Sequence, residues 1–268
     1  DGRISLPGGG VRPGIEIDGT ILSQSGYAGF TMEEGTGLLR LVVNRCQYGI
    51  WIHTAGVTIR DCYIGTDPAG SLARPNGAAG IILADGTIGA VIQDNLISGN
   101  DGNGVRLFGE NTTGNHIARN LIGVNAGGTA PLPNAFNGIS VDHGAYDNTI
   151  EENVISGNIF YGVQLSGSGT RQNRIMGNRI GTDRQGMAAL PNGVDGVRLV
   201  ETLRSEGKTI GLHICGNADR ILPAMCDTGV AGISIIAHGR SSAWARSQAQ
   251  DCTHAVSRPS RRRARMRR

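Results

Sequence analysis

The sequence predicts an all-β chain, a single-stranded right-handed parallel β-helix of about seven coils with longer loops on alternate coils. Three observations lead there. One layout recurs three times at intervals of 58 residues, as IGTDPAGSLARPNG from Ile64, IGVNAGGTAPLPNA from Ile122 and IGTDRQGMAALPNG from Ile180. Within that period a glycine followed by Ile or Val recurs at Gly49-Ile50, Gly80-Ile81, Gly104-Val105, Gly138-Ile139, Gly162-Val163 and Gly196-Val197, with Gly232-Ile233 expected as the seventh member. Third, 43 of the 268 residues are glycine and only 4% are aromatic. That composition suits short strands between tight turns, because Gly and Asn accept positive φ.

The spacings of the Gly-Ile/Val pairs are 31, 24, 34, 24, 34 and 36 residues. A 24-residue unit with apolar residues at period two, as in Val163-Gln164-Leu165, holds one coil of short strands. The longer units are the same coil carrying the IGTD…PN loop. A leucine-rich repeat would show L-x-x-L-x-L, which is absent, and a propeller blade needs about 40–45 residues. One coil cannot bury its own inward face, so coils stack about 4.8 Å apart. Ile50, Ile81, Val105, Ile139, Val163 and Val197 are expected to form one inward column, and Ile52, Leu83, Leu107, Val141, Leu165 and Leu199 its neighbour. Asn95, Asn120, Asn153 and Asn178 precede apolar pairs at matching turns and are expected to form an amide ladder, with Cys62 in the same register one coil earlier.

Residues 1–45 read as an irregular lead-in and a first imperfect coil, 46–239 as the β-helix, and 240–268 as an irregular segment ending in an Arg-rich, disordered tail. The tail holds seven arginines from Arg258 onward; without them 18 basic residues face 22 acidic ones, so the net charge of +3 belongs to the tail. Nucleic acid is therefore not an expected partner of the body; the tail could contact it or an anionic surface, against the plainer reading of a solubilising terminus. The five cysteines form no CxxC pair, and no zinc site is expected. Asp67, Asn125 and Asp183 in the repeated loops each precede a glycine by three residues, a spacing that fits Asx turns closed at the far end by Asn76, Asn134 and Asn192. One such oxygen donor per loop is too few for calcium, so neither metal nor cofactor is expected. No apolar run is long enough to span a bilayer, and no Thr-x-Thr ladder offers an ice-binding face.

Between the inward columns, the pattern places an outward row: Trp51, Ile82, Arg106, Ser140, Gln164, Arg198 and Ser234. Trp51 could stack on a sugar ring, and Arg198, Gln164 and Asp85 could bind carboxylates or hydroxyls. His53, Asp85, Asp142, His143, Glu201 and His238 follow the strand ends. With His143 as base beside Asp142, and Arg106 facing a uronate carboxylate, the row could support proton abstraction. The alternative reading of Asp142 and His143 is as turn residues bonded to backbone, and of the arginines as solvated surface groups.

The phrases GIEIDGT, CYIGTDPAG, NLISGNDGNGVRL, NLIGVNAGGTAPLPN and NVISGN resemble bacterial right-handed β-helix repeat proteins of the pectate-lyase-like superfamily over roughly residues 12–235. The resemblance implies an extracellular or cell-surface protein whose partner is a polysaccharide lying along a groove beside one parallel sheet. Neither the aspartate cluster and arginine base of pectate lyases nor the aspartates of polygalacturonases are complete. Asp142-His143-Gly144 echoes the Asp-Pro-His-Glu element of alginate epimerases without its proline and glutamate. The readings carried forward are a polysaccharide-binding β-helix acting on an acidic glycan as a lyase or epimerase, a non-catalytic structural or adhesive module, and a glycoside hydrolase or fructan-processing transferase pairing Asp142 with Asp85. Oligomeric state has no signature.

Overall fold

The computed structural model describes residues 3–5, 11–20, 26–84, 86–194, 196–199, 211–215 and 232–236. The chain winds as an all-β parallel β-helix in which the strands from Ile15 onward pair in parallel with their counterparts one coil away, while Arg3–Ser5 and Val11–Pro13 form a separate antiparallel pair. The first sheet stacks Ala28–Thr31, Tyr48–Ile52, Ala79–Leu83, Asn103–Phe108, Ile139–Asp142, Val163–Leu165 and Val197–Leu199. The second holds Gly37–Leu39, Thr58–Arg60, Val91–Gln93, His116–Ala118 and Thr149–Glu151. The third holds Ile15–Asp18, Leu41–Asn44, Tyr63–Ile64, Leu96–Ile97, Leu121–Ile122 and Val154–Ile155. Arg174–Ile180 runs unbroken from the second sheet into the third and joins them.

Both inward columns form as the repeat requires. Ile50, Ile81, Val105, Ile139 and Val163 stand in register and fully buried, with Val197 continuing the register. Ile52, Leu83, Leu107, Val141 and Leu165 run beside them. Each side chain buried this way contributes roughly 1.5–3 kcal/mol, so the stacked aliphatic rungs are the main source of stability.

Between the second and third sheets the chain turns on a single left-handed residue in each coil: Arg40, Asp61, Asp94, Arg119, Glu152 and Gly177, with φ between 53° and 64°. In five of these coils the next residue is a ladder position: Cys62, Asn95, Asn120, Asn153 or Asn178. Each Asn Oδ1 accepts from the backbone N–H one coil earlier and from that coil's Asn amide, as in Asn95 N and Nδ2 to Asn120 Oδ1, both 3.0 Å. Cys62 heads the ladder, its N–H donated to Asn95 Oδ1 at 2.9 Å. Burial pushes its thiol up to about 11, so it stays neutral.

Two expectations are corrected. Asn76, Asn134 and Asn192 do not close the loops; with Asn100 and Asn158 they form a second buried ladder, each amide donated to the next Oδ1 at 2.8–2.9 Å. Asn115, Asn148 and Asn173 make a third. A buried amide with donor and acceptor along the stack axis is better satisfied by its copies than by a surface loop. Second, Gly232–Ile236 pairs with Gly211–Cys215, which continues from Arg174–Ile180, so Ser234 does not join the outward row. A Gly-Ile pair marks where a strand begins but not which sheet receives it. The seventh strand of the first sheet comes from the other end, as Ala28–Thr31.

The repeated loops do use their leading Asx oxygens in turns: Asp67 Oδ1 accepts from Ser71 and Leu72 N–H, and Asn125 Oδ1 from Thr129 and Ala130. Although two coils apart, the loops touch. Ala126 N–H is donated to Gly70 O at 2.9 Å and Arg184 N–H to Gly128 O at 2.8 Å, building one continuous ridge.

Asn120→Ala would leave the Asn95 N–H and one hydrogen of its amide without their acceptor and take the side-chain donor from Ile92 O, while Asn153 Oδ1 keeps only the backbone N–H of residue 120. At about 1–3 kcal/mol per unmet buried group, urea unfolding should show a loss of at least about 3 kcal/mol. Cys62→Asn is expected to match or exceed wild-type stability, because the Leu41 N–H already faces position 62 and Asn95 Oδ1 can take the new amide. A loss of more than about 1 kcal/mol for that variant would refute the ladder as its organising contact.

Candidate functional site

Register brings Arg106, Ser140, Asp142 and His143 together. Arg106 stands opposite Ser140, and Phe108 opposite Asp142, on neighbouring strands of the first sheet. Residues two apart on a strand share a face, so Arg106, Phe108, Ser140 and Asp142 all project outward. Arg106 grips Asp142 through Nε to Oδ2 at 3.1 Å and Nη2 to Oδ1 at 3.0 Å. Ser140 Oγ donates to Oδ2 at 3.0 Å, and His143 Nδ1 lies 2.6 Å from Oδ1. The Asp142 carboxylate is thus paired with side chains, while its backbone C=O accepts from Gly109 and Ala145 N–H and opens the turn that follows.

Asp142 is nearly buried, its side chain 8% exposed, whereas that of His143 is 73% exposed. Burial alone would raise the Asp142 carboxyl, but hydrogen bonds from Arg106 and His143, together with the Arg106 charge, outweigh it and hold the group below its ordinary value. An ionised carboxylate only accepts, so Nδ1 of His143 carries a proton, and in the neutral imidazole the lone pair is then on Nε2. The arrangement is a buried acid orienting an exposed imidazole, with a guanidinium beside it. His143 has φ 52°, but it is one of ten non-glycine residues at positive φ among the described residues, so backbone strain does not single it out. Gly144 follows at φ 92°, where a Cβ would lie 3.1 Å from Glu110 Cγ. A side chain there would press on Glu110. Arg106, Phe108, Glu110, Asn111 and His143 line one shallow depression.

The rest of the outward row is present in the expected order, Trp51, Ile82, Arg106, Ser140, Gln164 and Arg198, but it is not uniformly open. Ile82 and Ser140 are each only 4% exposed. Ile82 is buried in a small outer cluster with Ala79 and Ala84, against which Tyr48, Trp51 and Phe108 pack. Large neighbours on a sheet face shield a medium side chain between them, which alternation alone does not reveal. Trp51 meets Tyr48 edge-on at 4.9 Å and shares a second depression with Tyr27 and His53. Gln164 Oε1 accepts from Asn137 Nδ2 at 2.9 Å. Arg198 continues the register, while Asp85, Glu201 and His238 lie outside the described residues.

Sequence reasoning missed Glu110 and Phe108, whose ring lies 4.7 Å from the Arg106 guanidinium. It also missed the exposed pair Phe136 and Phe160, stacked at 5.5 Å on the turn leading into the first sheet. Their signal was available: each stands two residues after a ladder asparagine, Asn134 or Asn158.

Three parallel sheets wound in successive coils, with ladders inside and a polar cluster on one face, define a right-handed parallel β-helix. The chain belongs to the right handed beta helix region family, whose model matches residues 4–180. No curated protein matches it. Among solved structures, a double-mutant form of the periplasmic alginate epimerase AlgG is 16% identical, with 78% of this chain aligned to 45% of that one at a TM-score of 0.45. A single-mutant form of the same enzyme is 18% identical, with 71% of this chain aligned to 41% of that one at 0.45. The A-module of the mannuronan C-5 epimerase AlgE4 of Azotobacter vinelandii is 19% identical, with 78% aligned to 55% at 0.40. The chain therefore spans about half the length of these structures, and the likeness is one of fold.

Because the folded Asp142 carboxyl is held below its unfolded value of about 3.9, its contribution to stability is complete above that pH and is lost as pH falls through the folded value. Asp142→Asn should therefore be less stable than wild type at pH 6, by about 1 kcal/mol or more. The gap should close as the pH is lowered below about 4. Chemical unfolding across that range measures it, and a gap that widens with acid would reverse the assignment.

Proposed function

We propose that the outer face of the first sheet binds an acidic polysaccharide and that the Asp142 cluster abstracts the proton α to a uronate carboxylate, making the protein a glycan lyase or epimerase. The observation that carries this reading is the single carboxylate that holds an imidazole and a guanidinium at once. Removing that α proton needs a base next to a cation that can accept the developing enolate charge. His143 Nε2 takes the proton, and the electron pair left on carbon moves into the carboxylate, facing Arg106. Collapse of the enolate then expels the glycosidic oxygen, leaving an unsaturated sugar, or a proton returns from the opposite face to invert the centre. Glu110, in the same depression, is placed to serve as the second protonic group. Trp51 with Tyr48 and Tyr27, and the Phe136–Phe160 pair, offer apolar surfaces for sugar rings on the same side of the stack.

The hydrolase reading gains less support. It pairs Asp142 with Asp85, which lies outside the described residues, and the Asp142 carboxylate that would serve as base or nucleophile is already engaged by Arg106, Ser140 and His143. The non-catalytic reading rests on the ladders and stacked loops, which would suit a rigid module equally well. A polysaccharide substrate fits a protein that works outside the cytoplasm. Among the described residues no helix is long and apolar enough to cross a membrane.

Incubation with polygalacturonate and polymannuronate should yield ultraviolet-absorbing unsaturated ends or, for an epimerase, solvent deuterium at the α carbon. His143→Ala should cut turnover by at least about 10²-fold with folding retained, the loss expected for a general base. Glycan binding without either product would select the non-catalytic module, and turnover unaffected by His143→Ala would remove the cluster from the chemistry.

A further inference from the structure

The third sheet carries a groove that the Asp142 chemistry does not use. Its floor is an outward column in register, Tyr63, Leu96 and Leu121. One wall is the row of left-handed turn residues Arg40, Asp61, Asp94 and Arg119; the other is the loop ridge, represented by Ala126 and Arg184, with Arg12 closing the end. Its volume is about 390 Å³, within the range of roughly 300–1,000 Å³ typical of ligand sites.

Charge in this groove is unbalanced. Asp94 is committed to Arg119, with contacts of 2.9 and 3.2 Å, and lies 3.8 Å from Arg60. Among the described residues Arg12, Arg40 and Arg184 have no ion-pair partner, against one uncommitted carboxylate, Asp61. Arg12 Nε is buried and makes no hydrogen bond among the described residues. A buried guanidinium N–H without an acceptor is costly, and an anion bound in the groove would meet that need. The Arg12 charge also acts on the Tyr63 hydroxyl, opposing the rise that burial causes there, which puts the guanidinium next to the floor. The groove crosses several coils, so the arginines lie along its length rather than around one point. That layout suits an extended chain of anions better than a single phosphate.

We propose that this groove is a second glycan site that holds an acidic oligosaccharide parallel to the stack axis, uronate carboxylates meeting Arg12, Arg40 and Arg184 and sugar faces resting on Tyr63 and Leu121. Asp61 accepts hydroxyls. The site is independent of the chemistry assigned to His143.

Calorimetric titration of the full chain with hexagalacturonate tests it, using an Arg106→Gln/His143→Ala background to isolate the groove. Binding should persist in that background and weaken with added salt. Adding Arg12→Gln and Arg184→Gln should weaken it by about tenfold or more, the scale of losing charge-assisted contacts. Arg184→Glu alone, at an exposed position, should weaken it in the same direction without threatening the fold. Absence of binding in the background protein, or binding indifferent to the groove substitutions, overturns the proposal. Binding of a sulfated neutral hexasaccharide in place of hexagalacturonate overturns the uronate assignment and gives the groove to sulfate esters.

Discussion

The asparagine amide is the contact on which the rest of this molecule depends. A coil that turns on a single left-handed residue brings buried backbone N–H and C=O groups to a corner where no strand can pair them, and a buried unpaired group is costly. Asparagine has one donor group and one acceptor on a short, stiff arm. When copies are stacked, each can donate forward along the axis while its oxygen accepts from the coil behind, as Asn95, Asn120, Asn153 and Asn178 do. Three such ladders, at three corners, fix the height of every coil against its neighbours. A slip of one residue would turn the aliphatic columns to water and break every ladder rung together. Register is therefore overdetermined, and position in the coil becomes position on the surface.

That locking makes the Asp142 cluster possible. Arg106 and Asp142 are 36 residues apart, yet they meet because a long coil carries its extra residues in the loop and returns its strand to register. The carboxylate is held from one side by the neighbouring strand and from beneath by Ser140 on its own, so His143 is aimed by a rigid partner although it is itself exposed. The groove on the third sheet is built by the same means: a ladder corner raises one wall, and stacked loops raise the other.

Much of this was legible in the sequence. The inward columns and the order of the outward row follow from period two within strands and the spacing between coils, both independent of side-chain detail. The Asn95 ladder and the place of Cys62 at its head followed too. Less was visible where exposure depends on neighbours: Ile82 and Ser140 sit on the outer face yet are shielded, because Trp51, Phe108 and the Arg106–Asp142 pair overhang them. The second ladder is hidden in the sequence, since Asn76 and Asn100 are 24 residues apart while Asn100 and Asn134 are 34 apart, and only stacked coils show these as equal steps. The bond between Arg106 and Asp142 had no sequence signature at all; a diagonal pair across strands emerges only from register.

The internal repeat also separates what the fold needs from what it merely permits. Under the 58-residue shift Asn95 returns as Asn153, Gly80 as Gly138, and Asn76 as Asn134 and then Asn192. Every coil has the same neighbours at those positions, so the same residue solves the same problem. The surface positions behave otherwise. The shift turns Ile82 into Ser140, Ala84 into Asp142 and Arg106 into Gln164, so the carboxylate with its guanidinium and hydroxyl arises once along the stack. On the third sheet it turns Asp61 into Arg119, and Pro68 into Ala126 and then Arg184. A module needing only rigidity would gain nothing from breaking its symmetry at these points. Outward positions change on the second sheet as well, where Thr58 becomes His116 and then Arg174, so variation alone marks no site. What sets the first-sheet face and the third-sheet groove apart is what the changed residues do there: one converges an imidazole and a guanidinium on a single carboxylate, and the other leaves arginines without ion-pair partners among the described residues.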